Sequence, residues 1–398
     1  MNTLIDDTPQ QDDLVQLRRQ IHAHPELAFQ ESQTAALVAE RLAGWGLEVH
    51  AGIGKTGVVG VLRAGQGGRV IGLRADMDAL PLTEKNMFAH RSLRPGCMHG
   101  CGHDGHTAML LGAARELSRR PDFDGTVVFV FQPAEEGGNA GARAMIQDGL
   151  FERFPCDVFY GMHNWPGLAA GTFSLRSGPV MAGTALWDIR VEGVGGHTAT
   201  PHKAVDSIVI GAELVQALQS VISRQRDPMQ AAVLAITQIH AGDAYNVMPD
   251  GAHLCGTVRA FDPATMDQIE RDMRRLAQGI PALRGGRGEL DFRRGYPAVI
   301  NEETSARFAS EVIAEAFGDQ RLVNDMTPTL AGEDFSFYQQ VVPASFVFIG
   351  NGNTKTAEHD GTHPLHSPYY DFNDALLPDG VRFWSRLVRA YCSRTHPV

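Results

Sequence analysis

The hydrophobic pattern at the start of the chain predicts two helices. Leu14, Leu17 and Ile21 recur at helical spacing, and Pro25 ends this pattern. A second helix is predicted at about 32–42. The chain is therefore expected to open with helices rather than strands.

Four short apolar runs predict buried strands, and polar residues follow them closely. The runs are residues 70–73, 126–131, 158–162 and 345–349. The polar residues after the first three runs include Asp76, Asp78, Glu135, Glu136 and His163. Ligands of open α/β sheets bind beyond the carboxyl ends of the strands. We therefore expect a functional site where these acidic and imidazole groups gather.

Between about residues 183 and 295 the pattern changes to the order β-α-β-β-α-β. The predicted strands are 187–194, 231–239, 253–261 and 289–293, and the predicted helices are 205–222 and 264–278. This is the order of a ferredoxin-like unit, which buries one face of its sheet under two helices. Signals of the first kind resume after residue 295, so this unit is predicted to be inserted into a larger domain.

Composition and charge narrow the class of protein. The chain includes 43% hydrophobic and 20% charged residues, which is typical of a globular protein. Its length of 398 residues suggests two domains, or one large domain that carries an insertion. The formal net charge is −11, and no dense block of Lys and Arg is visible. A nucleic-acid partner is therefore not expected, and small substrates fit better.

Several features predict a cytoplasmic location. Residues 1–7 lack a basic segment followed by an apolar run, and no stretch approaches membrane-spanning length, so neither a signal peptide nor a membrane segment is expected. The five cysteines are an odd, scattered set, which fits a reducing compartment: Cys97, Cys101, Cys156, Cys255 and Cys392. Any special cysteine should then be a metal ligand or a nucleophile.

The densest group of metal-ligating residue types lies at 97–106, before a helix predicted at 107–119. It contains five cysteine and histidine donors within ten residues. First-row divalent metals prefer thiolate and imidazole ligands, and alternate spacing in an extended segment places Cys101 and His103 on the same side. The alternative is a glycine-rich turn with surface histidines. Under that interpretation, the presence of five donors in ten residues would be a coincidence.

The pair Glu135-Glu136 follows the second apolar run. Adjacent residues of an extended chain point to opposite sides, so one carboxylate can bind metal while the other accepts a proton from an activated water. An acidic pair before glycines is more often a solvated turn. Its position directly after a buried strand favours the functional interpretation here.

Two further histidines, at positions 163 and 366, complete a donor set large enough for two metals if one ligand bridges them. The set is Cys101, His103, Glu136, His163 and His366. Asp76 and Asp78 are expected to orient a ligand histidine, although capping of a helix or turn is an alternative. Motifs of zinc-protease helices, serine-hydrolase elbows and nucleotide-binding loops are absent from the sequence. Cys101 as a nucleophile with a histidine base remains a weaker alternative.

The chain resembles the M20 metallopeptidase and amidohydrolase family, in the branch of hippurate hydrolases, N-acyl-amino-acid amidohydrolases and plant auxin-conjugate hydrolases. The motifs are jointly very specific and span nearly the whole chain. They are His22-Ala23-His24-Pro25-Glu26-Leu27, Leu73 to Pro81, Met98 to His106, Phe131 to Gly138, Met162-His163-Asn164, Gly195-Gly196-His197, Asn246-Val247-Met248-Pro249, Gly332-Glu333-Asp334-Phe335 and His366-Ser367-Pro368.

The resemblance implies an α/β fold with a mixed-sheet, metal-dependent catalytic domain formed by residues 1–182 and 296–398. It also implies an inserted ferredoxin-like α+β domain at 183–295 that acts as a lid and mediates homodimerisation. Two divalent ions are implied, with Glu135 as the general base and the five donors above as ligands. One departure concerns Asp76-Met77-Asp78, which stands where many relatives carry a His-x-Asp metal motif. Cys101 and His103 are expected to replace that ligand, as in the amidohydrolase branch.

The resemblance also assigns residues of the inserted domain. A histidine matching His197 is expected to reach the partner's active site and support the developing oxyanion, with His202 as a nearby competitor. Asn246 is expected to lie near the substrate. Thiolate ligation favours zinc, cobalt or nickel, whereas manganese is common in relatives, so the metal stays open.

The predicted function is hydrolysis of the amide bond of N-acyl amino acids, such as hippurate-like or N-acetyl substrates. The products are a carboxylic acid and a free amino acid. A dipeptidase or aminopeptidase of the same family is the first alternative. A non-catalytic metal-binding protein is the second, and the intact Glu135 argues against it.

Overall fold

The computed structural model describes residues 8–356 and 359–393. The signal-peptide prediction concerns residues 1–7, which lie outside the described residues. Among the described helices, none combines the length and apolar character that crossing a bilayer requires.

The described chain divides into two compact units. The first contains the described residues of 1–178, 300–327 and 334–398, and the second contains residues 179–299 and 328–333. The predicted insertion at 183–295 lies within the second unit. Its roles as a lid and in dimerisation stay predictions.

The helices and strands of the described residues are numbered here in chain order. The helices are Thr8–Ala23 (α1), Ser32–Gly44 (α2), His103–Arg119 (α3), Gly141–Gln147 (α4), Leu150–Arg153 (α5), Ser207–Ser223 (α6), Pro263–Leu283 (α7), Glu303–Phe317 (α8) and Leu377–Ser393 (α9). The strands are Glu48–Ile53 (β1), Gly57–Ala64 (β2), Val70–Asp76 (β3), Gly125–Gln132 (β4), Val158–Pro166 (β5), Phe173–Ser174 (β6), Gly178–Met181 (β7), Gly183–Glu192 (β8), Gly196–His197 (β9), Ala232–His240 (β10), Val247–Met248 (β11), Gly251–Ala260 (β12), Arg287–Arg294 (β13), Val299–Asn301 (β14), Leu322–Val323 (β15) and Ala344–Gly352 (β16).

The first unit is built on a mixed sheet with the described strand order β1-β2-β4-β3-β5-β16-β6-β15. Its central strands β4, β3, β5 and β16 are parallel, so their carboxyl ends lie at one edge. In this register Asp76 is opposite Gln132, and His163 is opposite Phe348. The four predicted apolar runs are these four strands.

Strand β5 corrects one sequence-based expectation. It continues to Pro166, so His163 belongs to the strand instead of following it. The strand extends because its pairing with β16 continues past the apolar run to Gly352. Strands β1 and β2 and helix α9 had no counterpart among the sequence-based predictions.

Both faces of the central strands of the large sheet are buried. On one face, helices α1, α2, α3, α8 and α9 share an apolar core with the strands, in which Leu73, Leu110 and Trp384 are buried. On the other face, aromatic rings pack together, with the Phe159 and Tyr338 ring centroids 4.8 Å apart. Burial on both sides explains why the central strands are continuously apolar.

The second unit contains a four-stranded antiparallel sheet in the order β10-β12-β8-β13. Burial alternates along β8 and β12, so one sheet face packs against α6 and α7 around Trp187, Leu214 and Met273. Asp206 caps α6 by accepting hydrogen bonds from the Ile208 and Val209 amides at 2.9 and 3.1 Å. The order of these elements along the chain is the predicted β-α-β-β-α-β.

Candidate metal centre

The segment before α3 turns sharply at Gly102, which corrects the prediction of an extended segment. Helix α3 begins at His103 instead of residue 107, and Gly102 adopts φ +93°. A Cβ there would lie 2.1 Å from Asn164 Oδ1 and 2.6 Å from the Tyr370 hydroxyl, so only glycine fits. Cys101 therefore precedes the turn, and His103 lies in the first helical turn.

The Glu-Glu loop, defined as residues 133–142, corrects a second expectation. Glu135 has helical backbone angles and Glu136 opens a short 3₁₀ turn, so the pair is not extended. The two carboxylates approach each other and His103, with one ligand atom from each within 4.8 Å of the others. They converge instead of pointing to opposite sides, because the backbone turns at this point.

Five predicted donors lie close together in the first unit. Cys101, Glu136 and His366 offer ligand atoms within 4.8 Å of one another, and Glu136 is shared with the group of His103 and Glu135. The sulfur of Cys101 lies 3.4 Å from Nε2 of His163, and Glu136 Oε1 lies 3.2 Å from Nε2 of His366. The donors come from β5, α3, the Glu-Glu loop and two irregular segments.

Two of the predicted ligand histidines are oriented by backbone carbonyl groups. Nδ1 of His103 lies 2.8 Å from the Asp78 carbonyl oxygen, and Nδ1 of His163 lies 2.6 Å from that of Asn164. In the neutral form of each ring, Nδ1 therefore carries the proton and the Nε2 lone pair is directed at the cluster. Within the described residues, buried Nε2 of His103 has no hydrogen-bond partner. Imidazole, thiolate and carboxylate donors in this arrangement fit divalent metal ions.

The pKa values of the clustered side chains are shifted in different directions. Burial, followed by the charges of Glu136 and Glu135, raises the pKa of the Cys101 thiol well above its usual value. Burial lowers the pKa of His163 well below its usual value. Burial alone would also lower the pKa of His103, but Asp76, Asp78 and Glu136 outweigh it and raise that pKa to about 10. The raised thiol pKa is the opposite of what a nucleophilic cysteine requires.

Asp78 contacts both sides of the cluster. Its carboxylate accepts hydrogen bonds from the Glu135 and Glu136 amides, each at 3.0 Å. Its Oδ1 also lies 3.4 Å from Nδ1 of His103. One buried side chain thus connects the Glu-Glu loop to the first turn of α3.

Asp76 is bound mainly to groups outside the donor set. Its carboxylate bonds to Nδ1 of His106 at 2.6 Å and accepts from Arg74 at 2.7 Å, while Nε2 of His103 is 3.7 Å away. Asn164 contacts the other nitrogen of His106, with 2.7 Å between Oδ1 and Nε2. His106 is therefore held by protein groups on both nitrogens.

His366 is the most exposed donor, with a side-chain exposure of 54%. Its backbone lies in the left-handed region at φ +64°, and its amide donates to the Gly100 carbonyl at 2.8 Å. This bond ties the irregular segment around His366 to the cysteine and histidine segment.

The predicted residues of the inserted domain lie together in the second unit. His197 in β9 pairs with Val247 in β11, and the Thr198 amide approaches the Asn246 carbonyl at 3.5 Å. His197, His202 and Asn246 are all exposed in this unit. Their roles with substrate stay predictions.

Residues 72–390 match the model of peptidase family M20/M25/M40. The hippurate hydrolase of Campylobacter jejuni subsp. jejuni is 40% identical over 391 residues, which covers 98% of this chain and 100% of that protein. The N-acetylcysteine deacetylase of Bacillus subtilis is 37% identical over 377 residues, covering 94% and 96%. The crystal structure of the Bacillus subtilis YXEP protein, a dinuclear metal-binding peptidase from the M20 family, matches with a TM-score of 0.84 and 33% identity, covering 97% of this chain and 99% of that one.

Proposed function

Because the chain belongs to peptidase family M20/M25/M40, we propose that it is a metal-dependent amidohydrolase that cleaves the amide bond of N-acyl amino acids. The observation that carries this proposal is the orientation of His103 and His163, whose Nε2 atoms face a cluster that also contains Cys101. The names of the hippurate hydrolase and the N-acetylcysteine deacetylase support acylated amino acids over free peptides.

Two divalent ions per chain are proposed, with manganese, zinc, cobalt or nickel as candidates. The proposed ligands are Cys101, His103, Glu136, His163 and His366. When bound, such ions supply Lewis acidity, which polarises an amide carbonyl and lowers the pKa of water. Asp76 and Asp78 are proposed to hold the ligand residues in place.

Glu135 is proposed as the general base. It takes a proton from the attacking water while the water oxygen bonds to the amide carbonyl carbon. It then delivers this proton to the leaving nitrogen as the carbon–nitrogen bond breaks. Its position beside both His103 and Glu136 supports this role.

The inserted domain is proposed to form a homodimer. In the second unit, β10 lies at the edge of its described sheet, and Ile208, Val209 and Ile239 are exposed on α6 and β10. Edge strands and exposed apolar patches are surfaces that a second copy can cover. We expect Ile208→Glu with Ile239→Glu to give monomers in sedimentation equilibrium. Leu283→Glu, at an exposed apolar position on α7, should leave the dimer intact.

His197 is proposed to act on the substrate held by the partner subunit, near Asn246. His197→Ala and Glu135→Gln should each be inactive, whereas mixed dimers should regain activity in half of their sites. The same mixture with His202→Ala in place of His197→Ala tests the competing histidine. Mixed dimers that regain no activity with either histidine variant would count against a role in the partner's site.

The first experiment is a substrate panel with metal-stripped protein. N-acetyl amino acids, N-benzoyl amino acids and free dipeptides are tested after addition of zinc, manganese, cobalt or nickel. We expect metal-restored cleavage of the acylated substrates. Cleavage of dipeptides alone would favour the peptidase alternative, and bound metal without any cleavage would favour a binding protein.

A cytoplasmic location, which the five free cysteines support, is tested by cell fractionation.

A further inference from the structure

Three consecutive amides of the Glu-Glu loop donate to buried carboxylates. The Ala134 amide donates to Glu31 Oε1 at 2.9 Å. The Glu135 and Glu136 amides donate to the two oxygens of Asp78, each at 3.0 Å. Asp78 also lies beside His103. Glu31, by contrast, makes its hydrogen bonds to Phe29, Thr56 and Ala134, none of which belongs to the donor set. Glu31 therefore contacts the Glu-Glu loop through the Ala134 amide and is not one of the proposed metal ligands.

The backbone at Ala134 needs such support. Ala134 adopts φ +54°, in the left-handed region that residues with a Cβ rarely occupy. The conformation aligns its carbonyl to accept a hydrogen bond from the Gly141 amide at 3.0 Å, which closes the loop. A Cβ on Gly141 would lie 1.7 Å from the Pro133 carbonyl oxygen, so the loop closes tightly. A strained residue directly before the two functional glutamates has to be fixed by its surroundings.

Glu31 is itself firmly held. Its side chain is fully buried, and it also accepts hydrogen bonds from the Phe29 amide at 2.9 Å and from the Thr56 hydroxyl. Glu31 and Ala134 are 103 positions apart in the sequence. The bond between them therefore connects the segment before α2 to the Glu-Glu loop.

We propose that Glu31 is a positioning residue for the hydrolytic reaction. By fixing the backbone of Ala134, its carboxylate sets the directions in which Glu135 and Glu136 leave the loop. This inference rests on the proposed roles of Glu135 as base and Glu136 as metal ligand. Without Glu31, the Ala134 amide would be buried without its acceptor, and the loop would relax away from its observed turn.

Glu26 offers a matched control. It is also a buried carboxylate of the same segment, and it accepts hydrogen bonds from the Gln33 and Thr34 amides at 2.9 Å. It further accepts from the Thr34 hydroxyl at 3.1 Å. These bonds hold the start of α2 and not the Glu-Glu loop. Removing either carboxylate thus costs buried hydrogen bonds, but only the removal of the Glu31 carboxylate takes a hydrogen bond from the Glu-Glu loop.

The test compares Glu31→Ala, Glu31→Gln and Glu26→Ala in the metal-loaded, full-length protein. For Glu31→Ala we expect kcat to fall about 100-fold and metal affinity, measured by chelator competition, to fall about 10- to 100-fold. Glu31→Gln should restore both, because its amide oxygen can accept from Ala134 and its amide nitrogen can donate to Thr56. Glu26→Ala should lower the melting temperature to a similar extent as Glu31→Ala but keep kcat and metal affinity.

Glu31→Ala with the same kcat and metal affinity as Glu26→Ala would overturn the proposal. If Glu31→Ala does not fold, Glu31→Asp is combined with hydrogen exchange at the Ala134 amide. Faster exchange with reduced kcat supports positioning, and faster exchange with unchanged kcat overturns it. If no N-acyl amino acid is cleaved by the unmodified protein, the proposed function fails, whereas metal affinity and Ala134 exchange still test the inference.

Discussion

Two clusters of charged and imidazole side chains lie on either side of the first turn of α3. They differ in how their negative charges are neutralised. His103 belongs to the metal centre, and the next residue, Asp104, belongs to an ion-pair network. The network consists of Arg18, His22, Glu84, His90, Asp104, Asp371 and Asp374. The residue types are similar, but the network includes an arginine as its own cation, whereas the five proposed metal ligands include none.

Arg18 supplies that cation. Its guanidinium is fully buried and lies 3.4 Å from Asp104, 3.0 Å from Asp371 and 2.7 Å from Asp374. These contacts favour the charged forms: burial alone would raise the pKa of Asp104, but His22 and Arg18 are among the groups that hold it well below its usual value. In the proposed metal centre the shifts are mixed: the pKa values of Cys101 and His163 are shifted toward their neutral forms, whereas the pKa of His103 is raised to about 10 and that of Glu136 is lowered, both toward the charged forms. The comparison teaches that the two clusters differ in charge balance more than in residue type, because the network is built around the buried Arg18 and the five proposed metal ligands are not.

The largest expected effect concerns the Glu-Glu loop of the metal centre. Glu135→Gln keeps the size of the side chain but removes the base, so kcat should fall about 10²- to 10⁴-fold. Metal content should stay at the level of the unmodified protein. Glu136→Gln is the matched variant, and it should instead weaken metal binding. Steady-state kinetics with metal analysis check both, and a metal-loaded Glu135→Gln enzyme with unchanged kcat would exclude Glu135 as the base.

The second prediction removes the cation of the ion-pair network. Arg18→Met leaves three carboxylates without their shared partner in a buried environment, which should cost about 3–5 kcal/mol in the free energy of unfolding. Arg19→Met is the control, because Arg19 is exposed and pairs with Asp374 at 2.8 Å. Its loss should cost less than about 1 kcal/mol. Urea denaturation checks both values, and equal costs would contradict the special role of Arg18.

The sequence predicts the central strands of both sheets well. Strands β3, β4, β5 and β16 are buried on both faces, so they are continuously apolar and can be recognised without a structure. The alternating pattern of β8 and β12 likewise indicates a sheet with one buried face. Strand β1 is mostly exposed or half-buried, which leaves no comparable pattern. Helix α9, however, has a regular buried stripe, so its pattern was available to sequence analysis.

Side-chain directions in the site were harder to predict. The sequence indicates that Glu135 and Glu136 are functional, but their convergence depends on Ala134 at φ +54° and on bonds from Glu31 and Asp78. These partners are distant in sequence, so local periodicity contains no information about them. The turn at Gly102 was missed for the same reason, because Asn164 and Tyr370 impose it from other segments. The glycine itself was the one local signal.

The third prediction tests which cluster requires an external cation. At free metal concentrations 100 times the dissociation constant, each bound ion should add about 2.7 kcal/mol to the free energy of unfolding. Chelation should therefore lower the urea midpoint of the unmodified protein. Cys101→Ala should lose this metal-dependent shift, whereas Arg18→Met should retain it. The opposite result would mean that the ion-pair network, and not the proposed metal centre, binds the ion.

The smallest effect concerns the pH dependence of the network at His22. His22 is fully buried, with Nδ1 2.8 Å from Asp104 and Nε2 3.3 Å from Glu84. Arg18, His90 and His99 also surround it. Burial alone would lower the pKa of His22, but Asp104 and Glu84 outweigh burial and raise it from 6.5 to about 9.

A raised pKa in the folded state means that the folded protein binds the proton more tightly than the unfolded chain. The contribution of His22 is therefore complete below pH 6.5 and is lost as the pH rises through about 9. About 3 kcal/mol should disappear over this range. Urea denaturation of the metal-loaded protein at several pH values, with His22→Gln as reference, isolates this contribution. The difference between the two proteins should shrink between these pH values, because the glutamine cannot titrate. A constant difference would show that His22 does not hold its proton in the folded network.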